Sequence, residues 1–399
     1  MSGFKSQSVD RSTVIAQCTE YSINAFGGTE VLVAALIREL SPRCKMVLVS
    51  NDDSEAIACS DVASLLHAHI PWRPEEASPE TARNLAAQLR AHAVSLAHFH
   101  FGGNFGWGNR MLNCSPLLCV HRAGIPCLST NHGVFALLDG YCATWRPTWL
   151  KLALLPAAWL SKMHVLSHLK TEIAVSQHDL RNLQRWYWPL RRKFRQIYHS
   201  KLHRDETPAA DVPREKTILC VGTIGFRKGQ AVLCDAFARI AARYPDWNLV
   251  LVGRAAEPFL IAEIEAVRTR SRLENRIRLV DGDSDEAIAE RMRSAEIFAM
   301  PSLHEGLGLS LQEALFRGCA CIASRVGGIP ELIDEGRNGL LVSPGNADEL
   351  ATGLGRLMSD EPLRKALRAC APGSILEKGM TAEQMARVYF ALYEEVLSR

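Results

Sequence analysis

The chain reads as α/β, with two doubly wound Rossmann-like domains facing each other. Three observations predict this. From residue 216 onward, short runs rich in β-branched residues alternate with longer segments of helical period, the pattern of βα units around a parallel sheet. The first half repeats the theme more loosely. A length of 399 residues exceeds what one compact core ordinarily takes.

In the second half, strands are predicted over 217–221, 248–252, 276–280, 297–300, 320–323 and 339–342. Val232, Leu233, Phe237 and Ile240 form the apolar face of a helix between the first two. In the first half, strands are predicted over 13–17, 46–49, 96–100, 126–130, 172–175 and 194–198. The polar stretch 201–215, with Asp205, Glu206, Pro208 and Pro213, reads as a linker. The domains are then 1–200 and 216–378, followed by a C-terminal segment, 379–399, with a last helix over 382–397. Ligands of open α/β sheets sit beyond the carboxyl ends of the strands, so the chemistry is expected in the cleft between the domains.

Composition narrows the class. The formal net charge is +3 and no low-complexity tract or short repeat appears. Residues 1–10 are polar, so no secretory leader is expected there. The most apolar stretch, 152–160, contains Pro156 and is far shorter than the roughly 20 residues needed to span a bilayer. The twelve cysteines are scattered, and the nearest pair, Cys319 and Cys321, lacks zinc-knuckle spacing. Most sit in apolar runs as small hydrophobes, so neither metal nor disulfide is expected, and the compartment is expected to be the reducing cytoplasm.

The densest motif is Pro301-Ser302-Leu303-His304-Glu305-Gly306-Leu307-Gly308-Leu309-Ser310-Leu311-Gln312-Glu313-Ala314, which follows a strand and opens a helix. Its glycines let backbone amides approach a ligand, and the helix N-terminus favours negative charge. Ser310 and Glu313 also have the spacing of a capping box, a purely structural alternative. A second motif, Gly222-Thr223-Ile224-Gly225-Phe226-Arg227-Lys228-Gly229, places two cations in a glycine-rich turn after a strand. Such a pair suits a diphosphate, or is simply a solvated pair on a loop. Neither motif is a dinucleotide or P-loop fingerprint.

Together these motifs resemble the donor-binding domain of glycosyltransferase family 4, over about residues 217–358. Gly327-Gly328-Ile329-Pro330-Glu331-Leu332-Ile333, Gly339-Leu340-Leu341-Val342 and Pro344-Gly345 stand at the family's offsets. In the first half, Gly27-Gly28-Thr29-Glu30 resembles the glycine turn that faces the diphosphate. His98-Phe99-His100 and Asn131-His132-Gly133 resemble two strand ends, and Val175-Ser176-Gln177-His178-Asp179 a later turn. The sequence departs from the family at Thr223, often Arg, and at Ala255, where a second glycine is usual.

The resemblance implies the two-domain GT-B fold, with the last helix crossing back onto the first domain. It implies a retaining glycosyltransferase that moves a hexose-type sugar from a nucleotide-diphosphate sugar to an acceptor, with no cofactor and no metal. Arg227 and Lys228 would meet the diphosphate with Gly27, Gly28 and the amides near Gly306, Leu307, Gly308 and Leu309. Glu305 would bind sugar hydroxyls, Glu313 the ribose, and His132 the sugar. For His98 and His100 a packed role is favoured. A nucleotide-sugar epimerase and an idle binding or scaffold protein remain as rivals.

Residues 145–204 carry twelve Lys and Arg against Glu172 and Asp179, and five of the eight tryptophans: Trp145, Trp149, Trp159, Trp186 and Trp188. Amphipathic aromatics mixed with cations mark membrane-interface segments, so peripheral attachment to an anionic membrane surface on the cytoplasmic side is expected, with a glycan or lipid-linked acceptor in cell-envelope polysaccharide or glycolipid synthesis. No nucleic-acid recognition module accompanies the charge.

Overall fold

The computed structural model describes residues 11–24, 27–103, 105–107, 115–133, 137, 148–204 and 213–398. The polar N-terminus, Trp145, Asp205, Glu206 and Pro208 lie outside these residues. The chain divides into two compact units, one of Met1–Lys201 with Thr381–Arg399, the other of Leu202–Met380.

Unit 1 holds strands β1 (Val14–Cys18), β2 (Lys45–Ser50), β3 (Leu66–Pro71), β4 (Leu96–Phe101), β5 (Cys127–Asn131), β6 (Thr171–Ala174) and β7 (Phe194–Gln196). They form one sheet in the order β3-β2-β1-β4-β5-β6-β7, with every pairing parallel. Unit 2 holds β8 (Glu215–Val221), β9 (Asn248–Val252), β10 (Ile277–Val280), β11 (Ala295–Met300), β12 (Ala320–Ser324) and β13 (Gly339–Val342), in the order β10-β9-β8-β11-β12-β13, again all parallel. Strand order reverses beside β1 and β4 in one sheet and beside β8 and β11 in the other. These reversals are the switch points where α/β sheets bind ligands.

The strand missing from the sequence reading is β3, whose Leu-His-Ala-His-Ile alternation pairs with β2 alone. An edge strand exposed on one face has no need of a continuous apolar run. The end of the expected linker is not loose. The Arg214 guanidinium donates to the Met292, Ala295 and Arg317 carbonyls at 3.1, 2.7 and 2.7 Å, fastening the chain just before β8. Cys220, Cys234, Cys319 and Cys321 are buried, and burial pushes the Cys220 thiol up to about 12, as fits small core hydrophobes.

The helix Ala382–Leu397 packs on Gly28–Leu40 and contributes two tyrosines to the interior of unit 1. There Tyr389 and Tyr393 meet His98, Thr130 and His199, all fully or almost fully buried. Elsewhere in unit 1 an ion pair with no exposure, Lys162 to Glu172 at 2.8 Å, fixes the helix Thr148–His168 to β6, and Ser129 donates to the same carboxylate oxygen at 3.1 Å. Such pairs hold register more than they add stability, because desolvation offsets much of the attraction.

Burial, then neighbouring His132, pushes the His98 imidazole down to about 3, and His100 and His199 are likewise held far below their ordinary value. These groups bind protons in the unfolded chain below about pH 6.5 but resist them when folded. Their contribution is therefore complete above about 6.5 and lost as pH falls toward 3, by up to about 1.4 kcal/mol per pH unit for each histidine. Urea unfolding from pH 7 to pH 5 should show falling stability, with a shallower slope in His98→Gln. A flat profile would contradict neutral buried histidines.

Candidate active site

In unit 2 three loops meet beyond β8, β11 and β12. After β8, Phe226-Arg227-Lys228 forms a short 3₁₀ turn that ends on Gly229 with φ +69°. A Cβ there would lie 2.1 Å from the Pro301 carbonyl oxygen, so only glycine lets this turn press against the exit of β11. Backbone bonds join the two loops: the Leu303 amide donates to the Arg227 carbonyl at 2.8 Å. After β12, Gly327 adopts φ +52° with its Cβ position 1.7 Å from the Glu305 carbonyl oxygen, and the Gly328 amide donates to the Gly306 carbonyl at 2.9 Å. The three motifs separated in sequence are thus one packed constellation.

Glu305 is its centre. The residue is only 9% exposed, and its carboxylate accepts from Lys228 Nζ at 2.6 Å and from the Ser302 hydroxyl at 3.3 Å. The Arg227 guanidinium stands 3.8 Å away and also donates to the His304 carbonyl at 3.3 Å. Burial alone would push this carboxyl up, but Lys228 and Arg227, helped by the two hydrogen bonds, bring it below the usual carboxylate range. Two cations thus flank one buried carboxylate at the turn, whose Phe226 amide donates to Glu257 at 3.0 Å.

The helix Leu309–Phe316 starts directly after this loop, with Gly308 as its N-cap and no side chain to satisfy the first amides. Gly306, Leu307 and Gly308 are buried beneath it. The capping-box alternative is not realised. Ser310 donates instead to the Val221 carbonyl at 3.2 Å, and Glu313 lies inside the helix, 3.6 Å from Arg317. Asp283, in the Asp281-Gly282-Asp283 triplet, is held by Arg291.

In unit 1, Gly27 is the N-cap of Gly28–Leu40, and the nearby Glu30 carboxylate would collide with any Cβ at Gly27. His132 follows β5. Its amide donates to the Phe101 carbonyl at 2.9 Å, and its Nε2 lies 3.0 Å from His100 Nδ1. His98 and His100 are packed, as favoured, but in a polar network rather than among hydrocarbon. Gln17, His199, Tyr389 and Tyr393 in that network, and Ser302 and Arg317 in unit 2, were not singled out from the sequence. Only Ser302 lay within a quoted motif. Nothing in sequence spacing joins Gln17 to Tyr393, 376 positions apart.

The basic, tryptophan-rich segment is partly rearranged by folding. Trp159 and Trp186 turn inward, joined by Trp159 Nε1 donating to the Trp186 carbonyl at 2.8 Å. Lys162 is buried, and Lys193 caps carbonyls of Leu166, Ser167 and Leu169. What remains outside is an apolar helix face of Trp149, Leu152, Ala153, Pro156, Ala157 and Leu160, together with Trp188. Lys170, Arg181, Arg185, Arg191 and Arg192 are also exposed in this segment. Among the described residues no helix is long and apolar enough to cross a membrane.

Residues 26–200 match the profile of Glycosyltransferase Family 4, and residues 204–372 that of Glycosyl transferases group 1. A D-inositol 3-phosphate glycosyltransferase of Corynebacterium jeikeium is 30% identical over 187 residues, 46% of this chain and 44% of that protein. The lipopolysaccharide core biosynthesis mannosyltransferase LpsB of Rhizobium meliloti is 28% identical over 189 residues, 46% of this chain and 53% of that protein. The chain therefore spans about half the length of these curated relatives. In solved structures, a glycosyltransferase of Rickettsia africae superposes with a TM-score of 0.73 at 20% identity, over 97% of this chain and 99% of that one. Anabaena HepE, in complex with UDP and glucose, superposes with 0.73 at 18% identity, over 95% and 98%. The architecture is the GT-B fold, and the chain belongs to glycosyltransferase family 4.

Proposed function

We propose that this protein is a retaining, metal-independent glycosyltransferase. It moves a hexose-type sugar from a nucleotide-diphosphate sugar to a glycan or lipid-linked acceptor in cell-envelope polysaccharide or glycolipid synthesis. The observation that carries this reading is the contact of Lys228 and Arg227 with the buried Glu305 at the β8–β11 switch point. Two cations and the first amides of Leu309–Phe316 converge where a departing diphosphate needs charge stabilisation. The same carboxylate is an acceptor for sugar hydroxyls as oxocarbenium character develops.

Glu313 takes the ribose hydroxyls in this reading, and His132 keeps the sugar contact that family likeness implies. Retention follows when the acceptor attacks the face from which the diphosphate leaves. The departing phosphate then accepts the acceptor's proton, and no separate base is required. The printed activities of relatives, an inositol 3-phosphate glycosyltransferase and a lipopolysaccharide core mannosyltransferase, suit such acceptors. An epimerase would act on the donor without a second substrate.

A screen of UDP-, GDP- and ADP-sugars by thermal shift identifies the donor, since a true donor at a hundred times its dissociation constant adds about 2.7 kcal/mol of stability. With that donor, Lys228→Ala should lower turnover by on the order of a hundredfold while circular dichroism stays unchanged, and wild-type turnover should survive EDTA. Undiminished turnover in the variant would overturn the phosphate role, and EDTA loss restored by magnesium would overturn the metal-free one.

The exposed apolar face of Thr148–His168, with Trp188 and the nearby cations, supports peripheral attachment to the cytoplasmic leaflet. Each cation near an anionic bilayer contributes about 1 kcal/mol. Flotation should carry the protein with anionic vesicles at low salt and release it at high salt, with Trp149→Ser/Trp188→Ser weakening the low-salt binding. Equal absence from anionic and neutral vesicles would favour a soluble acceptor.

A further inference from the structure

The buried network of unit 1 has a direction that can be followed atom by atom. The Gln17 side chain presents unlike ends to two neighbours. Its Nε2 donates to the Tyr393 hydroxyl at 3.0 Å, and its Oε1 lies 2.8 Å from His100 Nε2. An amide oxygen only accepts, so His100 carries its proton on Nε2. A neutral imidazole has one N–H, which leaves His100 Nδ1 as a lone pair facing His132 Nε2 at 3.0 Å. That bond exists only when His132 carries its own proton on Nε2.

The second branch is consistent with the first. Tyr393, having accepted from Gln17, gives its proton to His98 Nδ1 at 2.7 Å. His98 then donates from Nε2 to Thr130 at 2.7 Å, Thr130 to Tyr389 at 2.9 Å, and Tyr389 to His199 Nε2 at 2.7 Å. Turning the Gln17 amide over would reverse every bond in both branches. The groups facing one another here are the four histidines, Tyr389 and Tyr393. The His98 and His100 rings lie 4.2 Å apart with no exposure, so a charge on either would be poorly solvated.

We propose that Gln17, acting through His100, is a positioning residue that fixes His132 as the tautomer protonated on Nε2, so that its Nδ1 lone pair meets a hydroxyl of the transferred sugar. This rests on the reading of His132 as a sugar contact. Among the described residues no hydrogen bond engages Nδ1. A lone pair accepts from O–H or N–H and repels a carboxylate, so the sugar position met by His132 carries a hydroxyl or amide rather than an acid group. Burial holds the His132 imidazole down to about 3, so it stays neutral at physiological pH.

The test is a long-range ¹H–¹⁵N correlation spectrum of protein labelled with ¹⁵N-histidine, recorded at pH 7 without nucleotide, with signals assigned from His132→Gln and His98→Gln. His132 should show a protonated Nε2 and an unprotonated Nδ1, and Gln17→Met should mix the two tautomers. Once ionised, the side chain of Gln17→Glu supplies only acceptors, so at a pH where it is charged it should keep the tautomer at His132 and reverse it at His98, because Tyr393 must then donate to residue 17. A wild-type His132 that is protonated on Nδ1 or cationic overturns the proposal. So does a His132 whose single tautomer is unchanged in Gln17→Met. Because no donor is present, these outcomes are separate from whether the protein transfers sugar. With an identified donor, Gln17→Met should raise KM for the donor about tenfold at pH 7.

Discussion

Glu305 is a carboxylate that burial would neutralise, kept ionised by Lys228 and Arg227. Most of the ligand end of unit 2 is arranged to make that possible. Gly229 lets the cation-bearing turn reach Pro301, Gly327 lets the next loop close on Glu305 from behind, and Ser302 fills the remaining side of the carboxylate. The result is a preorganised site in which positive charge is already positioned and partly desolvated. Such groups need little reorganisation when an anion departs, which is where charged residues do most for a reaction.

The two units use polar groups in opposite ways. Unit 2 keeps a charged cluster at the rim of its sheet, where Lys228 and Arg227 flank Glu305. Unit 1 buries a neutral network of histidines, tyrosines, Gln17 and Thr130, where hydrogen bonding replaces charge. Neutrality there follows from burial, and satisfaction follows from the helix Ala382–Leu397, which delivers Tyr389 and Tyr393 from the far end of the chain. Each bond in such a network narrows what its neighbours can adopt, and a buried polar group left outside it is costly.

Much of this was legible in the sequence. The parallel strands of unit 2 were visible because each is a short apolar run set off by glycine turns, and Lys228, Glu305 and Gly327 sat in motifs whose order mattered more than any one of them. The edge strand Leu66–Pro71 escaped because half of its residues face solvent or polar neighbours. In the tryptophan-rich segment composition does not separate inward from outward residues: Trp159 and Trp186 pack inward and Lys162 is a buried partner of Glu172, while Trp149 and Trp188 stay exposed. The Gln17 network was invisible because its members are drawn from strands and a terminal helix with no local pattern, and only tertiary packing joins them.

Whether the Arg227–Lys228–Glu305 cluster binds the diphosphate of a nucleotide sugar is decided by calorimetric titration of the matching nucleoside diphosphate, monophosphate and free nucleoside into the wild type and Lys228→Met. The diphosphate should bind the wild type much more tightly than the monophosphate, and the variant should lose most of that preference. Equal affinity for the two phosphates, or a preference that survives without Lys228, would contradict it.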